Sequence, residues 1–383
     1  MTRVVLLMLF PLAVAAQENA TSLITNQMGS PFALHLGAFP ANSNGRSSLD
    51  RGIGALPAFQ TAPKVPPPQK PKPAQPKKSP EPKPTIPSSM VGYIDNAIVG
   101  SQIRIRFDDA FHNNVPDRAE FFYAQCSCIP NGPGPNSVVQ DLNFQQLYMH
   151  AEYAPTRRFS FFAEVPVRWI QPQIQIAGPG TSPLPNEAGL SDVEAGLKLA
   201  AIASSNQYLT FQLRAYFPSG SATTGLGTNH YSIEPALLFY QKLSDRLALE
   251  AQVGDWHPIG GSSCPQPCNS SASTPPSQNF AGDIFFYGVG PSYILYRDEN
   301  IRFAPVVELV GWRGMGGFET IQPNAMVDFQ QAVSADGTNI VNLKIGARTS
   351  IGRRNSFYVG FGQAVTHSVW YEHIARAEYR YSF

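Results

Sequence analysis

The chain has 383 residues, 28 Lys+Arg against 27 Asp+Glu, 35 Pro and only 14% charged residues. Soluble domains carry about 25% charge, so this one is poor in charge, and a formal net charge of +1 excludes nucleic-acid binding by bulk positive field. Beyond the N-terminus no apolar run reaches the ~18 residues of a membrane helix. A mean hydropathy of -0.16 leaves a soluble protein or a β-barrel that alternates apolar and polar residues.

Residues 1–16 read as a secretory signal peptide: Arg3 is the basic end, Val4 to Val14 the apolar stretch, and Ala13 to Ala16 the small-residue cleavage pattern. The mature chain is then expected to start near Gln17. Residues 17–56 show no sustained period and are expected to be disordered. Residues 57–89 hold twelve Pro and six Lys against one acid, Glu81. Such composition favours extended polyproline II and buries no core. This segment is expected to be a semi-rigid periplasmic spacer. Its lysines (Lys64, Lys70, Lys72, Lys77, Lys78 and Lys83) are alternatively placed to meet an anionic cell-wall component.

From residue 100 the period becomes two. Leu209, Phe211, Leu213, Ala215 and Phe217 alternate with Thr210, Gln212, Arg214 and Tyr216, so one face meets an apolar medium and the other a polar one. Twelve such strands are predicted, near 101–111, 143–154, 159–169, 190–203, 207–217, 230–243, 246–257, 281–297, 301–314, 339–350, 356–366 and 372–383. Short turns alternate with longer links. The predicted fold is all-β: over residues 90–383, an antiparallel up-and-down transmembrane barrel with both termini on the periplasmic side. Aromatics near predicted strand ends (Trp169, Phe217, Tyr240, Trp256, Tyr296 and Trp312) suit an interfacial girdle. A secreted β-sandwich is the alternative, but its strands are usually shorter.

Charge in contact with acyl chains is costly, and this sets the register. The candidate pore-lining residues are Arg104, Arg106, Glu164, Arg168, Glu194, Lys198, Arg214, Glu234, Glu250, Glu308, Lys344, Arg348, Arg376, Glu378 and Arg380; Asp108, Glu152, Asp192, Lys242, Arg302 and Glu372 are also placed inward. The signs nearly balance, which predicts cross-strand ion pairs. At the C-terminus Tyr379, Tyr381 and Phe383 alternate with Glu378, Arg380 and Ser382. This resembles the terminal signal read by the barrel assembly machinery of bacterial outer membranes.

The stretches Leu190 to Lys198, Gly225 to His230, Leu243 to Leu247 and Gly352 to Ser356 make residues 190–383 similar to a family of bacterial outer-membrane barrels associated with the meta-cleavage pathway of phenol degradation. The resemblance implies passage of small, aromatic or hydrophobic, molecules and supplies no defined binding residues.

Cys126, Cys128, Cys264 and Cys268 fall in long links. They are candidate disulfide partners in an oxidising compartment, with a four-cysteine zinc site as the sharper alternative. No HExxH, GxSxG or phosphate loop is present, so no catalytic residue, metal or cofactor is expected. The reading is a passive outer-membrane channel, with outer-membrane lipid, the assembly machinery and a small-molecule solute as partners. A lipid-modifying barrel enzyme and a tethered envelope protein are the alternatives.

Overall fold

The computed structural model describes residues 88–116, 134–135, 137–177, 182–261, 280–321 and 331–383. The signal peptide, residues 17–56, nearly all of the Pro/Lys segment and all four cysteines lie outside the described residues. The strands are β1 (Gln102–Asn113), β2 (Ser137–Thr156), β3 (Phe159–Ala177), β4 (Glu187–Leu190), β5 (Val193–Ala203), β6 (Gln207–Phe217), β7 (Tyr231–Lys242), β8 (Leu247–Ile259), β9 (Asp283–Tyr293), β10 (Tyr296–Arg297), β11 (Ile301–Met315), β12 (Phe318–Ile321), β13 (Gln331–Ser334), β14 (Asn339–Ile351), β15 (Asn355–Ala364) and β16 (His373–Ser382). Four are accessories: β4 extends the wall beside β3, β10 pairs only β11, and β12 and β13 form a separate hairpin. The other twelve pair antiparallel, each with its neighbours, and the ring closes where β1 meets β16, Gln102 opposite Ser382. Closure leaves no unpaired edge, the condition for a sheet to stand in lipid. The protein is a twelve-stranded transmembrane β-barrel.

All twelve expected strands are present, with β2 and β3 longer than their alternation suggested, at 20 and 19 residues. Their outer ends depart from strict alternation at register shifts near Val139 and Asp141, so a period-two reading stops early. The outward face carries apolar side chains left open by the protein itself, such as Ile105, Phe161, Leu237, Ile345 and Phe361. Partners directly opposite across the ladder share a face, as Phe107 does with Leu147 and Ala377.

Two expectations need correction. Tyr240, Trp256 and Trp312 do not stand in an outer girdle. Tyr240 and Trp256 are buried, and Trp312 packs against the interior clusters. Their parity explains it: they share it with Glu234, Glu250 and Glu308 on their own strands. Trp169, Phe217 and Tyr296 are exposed, as a girdle requires. Glu372, expected inside, precedes β16 and is exposed beside His373 at 3.5 Å.

Residues 88–101 form no strand, so the barrel wall begins later than residue 90. They enter at the short-turn end, where Ser88 accepts from Arg302, rise to about mid-height at Tyr93 and Asp95, and descend to Gln102. Met90, Val91, Ile94, Ala97, Ile98 and Val99 are all buried inside the barrel. The lumen gives them room through small residues. Tyr358 lies against the inner wall over Gly346 and Gly360, with Gly92 of the inserted segment on its ring, and a Cβ at any of the three would collide with that ring. Replacing Gly346 with Val overpacks this contact, at a cost of about 1–3 kcal/mol. The expected outcome is a lower temperature for loss of the folded, heat-modifiable species on gels; an unchanged temperature would show that Tyr358 has another place to go.

Candidate functional site: the barrel interior

The inserted segment carries backbone N–H and C=O groups with no strand partner, and such groups must be satisfied when buried. The wall supplies partners of matching sign. Glu308 accepts from the N–H groups of Gly92, Tyr93 and Ile94 at 3.1, 2.8 and 2.9 Å. Glu250 accepts from Met90 N–H at 3.0 Å and Gln252 from Asp95 N–H at 2.8 Å. The carbonyls meet cations: Arg348 donates to Met90 and Val91 at 3.1 and 2.8 Å, Arg376 to Gly92 at 2.5 Å, and Lys198 to Asn96 at 3.1 Å. Arg380 lies 3.4 Å from the Ser89 carbonyl. Tyr93 sits between two cations, with Lys344 3.8 Å and Arg376 4.0 Å from its ring centroid.

The remaining charge is paired on the wall. Arg376 holds Asp108 through two bonds of 2.7 Å. Arg104 and Arg106 reach Glu164 at 2.7 and 3.1 Å. Arg348 and Arg380 share Glu378 at 2.8 and 3.0 Å, and Lys198 meets Glu152 at 3.2 Å. The fifteen candidate pore-lining residues lie on the inward parity of their strands and are buried or partly buried. Glu250, Glu308, Lys344, Arg348, Arg376 and Arg380 there surround the inserted segment rather than an open tube. Arg106, Glu164, Arg168, Glu194, Arg214 and Glu234 border a cavity farther from the short turns. Gln212 and Gln252 lie on the polar faces read for Arg214 and Glu250 but were not named as lining; His150 shares the inward parity of Glu152, and Tyr93 and Asp95 belong to the inserted segment that no period marks.

That cavity measures about 250 Å³. Tyr93 and Asp95 line it beside a charged wall from β1 to β7 and an aromatic wall of Trp256, Phe286, Trp312 and Trp370. Beyond it the inner face is apolar. Ala110, Phe144, Ile170, Ile284, Ile340 and Ile374 pack with Leu184, Leu226, Phe280, Trp370 and Tyr371 from the connections. The inward face is thus charged from the short turns up to the cavity, which on β5, β6 and β7 reaches Glu194, Arg214 and Glu234, and apolar beyond it.

Residues 128–254 match the family described as putative MetA-pathway of phenol degradation. The match takes in three of the four stretches quoted above, begins upstream of residue 190, and leaves Gly352 to Ser356 outside. Among solved structures the chain is similar to the COG4313 outer membrane channel from Pseudomonas putida F1, at 15% identity and a TM-score of 0.49 over 77% of this chain and 100% of that one. It is also similar to the beta domain of the Bordetella autotransporter BrkA (13% identity, TM-score 0.42, 74% of this chain and 100% of that one). A third is a KdgM porin in complex with disordered oligogalacturonate (10%, 0.36, 74% and 99%). No curated protein matches in sequence.

Β16, which holds the expected assembly signal, closes the ring between β15 and β1. Tyr379 donates to Asn355 at 2.8 Å, Tyr381 stacks on Phe383, and Phe383 is 61% exposed.

Glu308 is the fastener on which three backbone donors converge. Glu308→Ala should loosen residues 90–94, because breaking buried charge-assisted contacts costs about 3–5 kcal/mol. In a Val91→Cys background, Glu308→Ala should speed labelling by a water-soluble maleimide in folded protein severalfold. Equal labelling with and without Glu308 would show that the arginines alone hold the segment.

Proposed function

We propose that the protein is an outer-membrane channel for small solutes with an apolar, including aromatic, part, and that residues 88–101 set its resting width. The observation that carries this reading is the interior cavity with one charged and one aromatic wall, above a chain segment held by side-chain contacts and not by sheet pairing. Side-chain contacts separate one by one, whereas a strand in a closed ring does not leave without opening the barrel. A solute's apolar part fits the wall of Trp256, Phe286, Trp312 and Trp370. The short turns belong to the periplasmic end in outer-membrane barrels. Ser88 lies at that end, which supports a periplasmic location for the Pro/Lys segment.

The test is conductance in planar bilayers and solute entry into liposomes. Wild type should show small conductance of weak ion selectivity, because the interior charges nearly cancel. A variant lacking residues 88–100 should conduct several times more. Arg348→Ala should raise conductance, since Arg348 holds two carbonyls of the segment. Arg214→Ala should instead shift selectivity toward cations, because Arg214 lies among three carboxylates bordering the cavity. No pore in wild type and none after deletion would overturn the channel reading.

A further inference from the structure

Arg214 is the guanidinium that three carboxylates share: Asp95 at 2.7 Å, Glu194 at 3.4 Å and Glu234 at 3.5 Å. Glu234 also accepts from the Tyr216 hydroxyl, at 2.5 Å. Glu194 faces a fourth carboxylate, since it stands directly opposite Glu164 across the β3–β5 ladder, and like charges directly opposite are unfavourable. Glu194 is only 8% exposed, and its Oε2 has no hydrogen-bond partner, the long contact to Arg214 being its nearest cation. A buried carboxylate oxygen in that state is costly unless a donor reaches it.

Next to Glu164, the same charged wall has the opposite shortage. Three guanidinium groups, Arg104, Arg106 and Arg376, share two carboxylates, Glu164 and Asp108. Arg106 lies over the Tyr148 ring at 3.6 Å, and its buried Nε makes no hydrogen bond, its nearest carboxylate being Asp108 at 3.7 Å. Arg106 and Glu194 both border the cavity, and the aromatic wall of Trp256, Phe286, Trp312 and Trp370 completes it. The cavity therefore offers an acceptor and a donor without hydrogen-bond partners on one charged wall, both beside Glu164, and an apolar surface on the aromatic wall.

The geometry points to a binding subsite for a small zwitterion with an aromatic side chain, of the α-amino-acid type. Its ammonium donates to Glu194, its carboxylate accepts from Arg106, and its ring lies on the tryptophan wall. This deepens the channel reading and rests on it for the route by which such a solute arrives. A purely cationic solute satisfies Glu194 and leaves Arg106 Nε bare. An anion does the reverse. A neutral aromatic satisfies neither, and only the zwitterion answers both without adding net charge to a nearly balanced interior.

Four probes share one ring system and differ in charge: L-tryptophan, tryptamine, indole-3-propionate and indole. Their binding to the full-length protein in detergent is read by calorimetry. Tryptophan should bind at least about tenfold more tightly than tryptamine or indole-3-propionate, the scale of one charge-assisted hydrogen bond. Glu194→Gln, which keeps size and removes charge, should bring tryptophan down to the level of indole-3-propionate. Arg106→Gln should bring it to the level of tryptamine. Heat-modifiability checks that each variant is folded, and Glu194→Gln alone decides should Arg106→Gln fail to fold. Tryptamine binding as well as tryptophan would make this a cation site and overturn the proposal; indole binding as well would reduce it to the aromatic wall. Liposome entry separates the two readings. Tryptophan bound without entry of any probe removes the channel and leaves the subsite, whereas entry of all four without preference removes the subsite and leaves the channel.

Discussion

A barrel in lipid must turn its charge inward, and charge turned inward must find partners there. Everything else in this structure follows from that constraint. The outward face is mostly apolar, so most ionisable residues of the wall fall on the other parity; Asp109, Asp255, His257 and Arg313, on the outward parity, lie toward the long connections. Wall-to-wall pairs satisfy part of this set, as in Arg376 with Asp108. The rest is satisfied by a peptide backbone. Residues 88–94 offer N–H groups to Glu250 and Glu308 and carbonyls to Arg348, Arg376 and Arg380. Each partner removes the other's desolvation cost, which is why an unpaired chain segment and a charged lumen are stable only together.

The division of the interior into two halves has the same origin. Where the inserted segment ends, charge has no backbone to bind, and the inward parity becomes apolar: Ala110 follows Asp108 on β1, Ile170 follows Arg168 on β3, and Ile374 precedes Arg376 on β16. The cavity lies at this boundary. It inherits charges from one half and aromatic rings from the other, with Tyr93 and Asp95 of the segment on its border. A site of mixed polarity is thus a consequence of where residues 88–101 stop.

Strand number, register and closure were legible in the sequence because each rests on period-two alternation over ten or more residues, and such a pattern has one physical reading in lipid. The inward direction of Arg214 or Glu308 was legible for the same reason. The path of residues 88–101 was not. Met90, Val91, Ile94 and Ile98 have helical spacing, yet residues 88–101 form neither helix nor strand, since Val91 and Ile94 pack into gaps in the wall at Gly288 and Gly290 that no local pattern reveals. The aromatic wall was within reach. Trp256 and Trp312 have the parity of Glu250 and Glu308, but their nearness to strand ends suggested an interfacial girdle. Parity was the stronger signal, because a strand cannot turn one side chain outward without a register shift, and the ladders at Trp256 and Trp312 contain none.

Fastening a segment through side chains rather than ladder bonds also has a mechanical consequence. Its contacts are distributed around the ring, on β5, β6, β8, β11, β14 and β16, so no one strand's movement frees it. In chain order the contacts are Ser88 at Arg302, Ser89 at Arg380, Met90 at Arg348 and Glu250, Val91 at Arg348, and only then the three donors on Glu308. The outermost contacts are one or two hydrogen bonds each, while the innermost is a cluster. A segment built this way yields at its entrance under small forces and stays seated at Glu308, so the cavity beyond keeps its Tyr93 and Asp95 lining unless the whole set gives way.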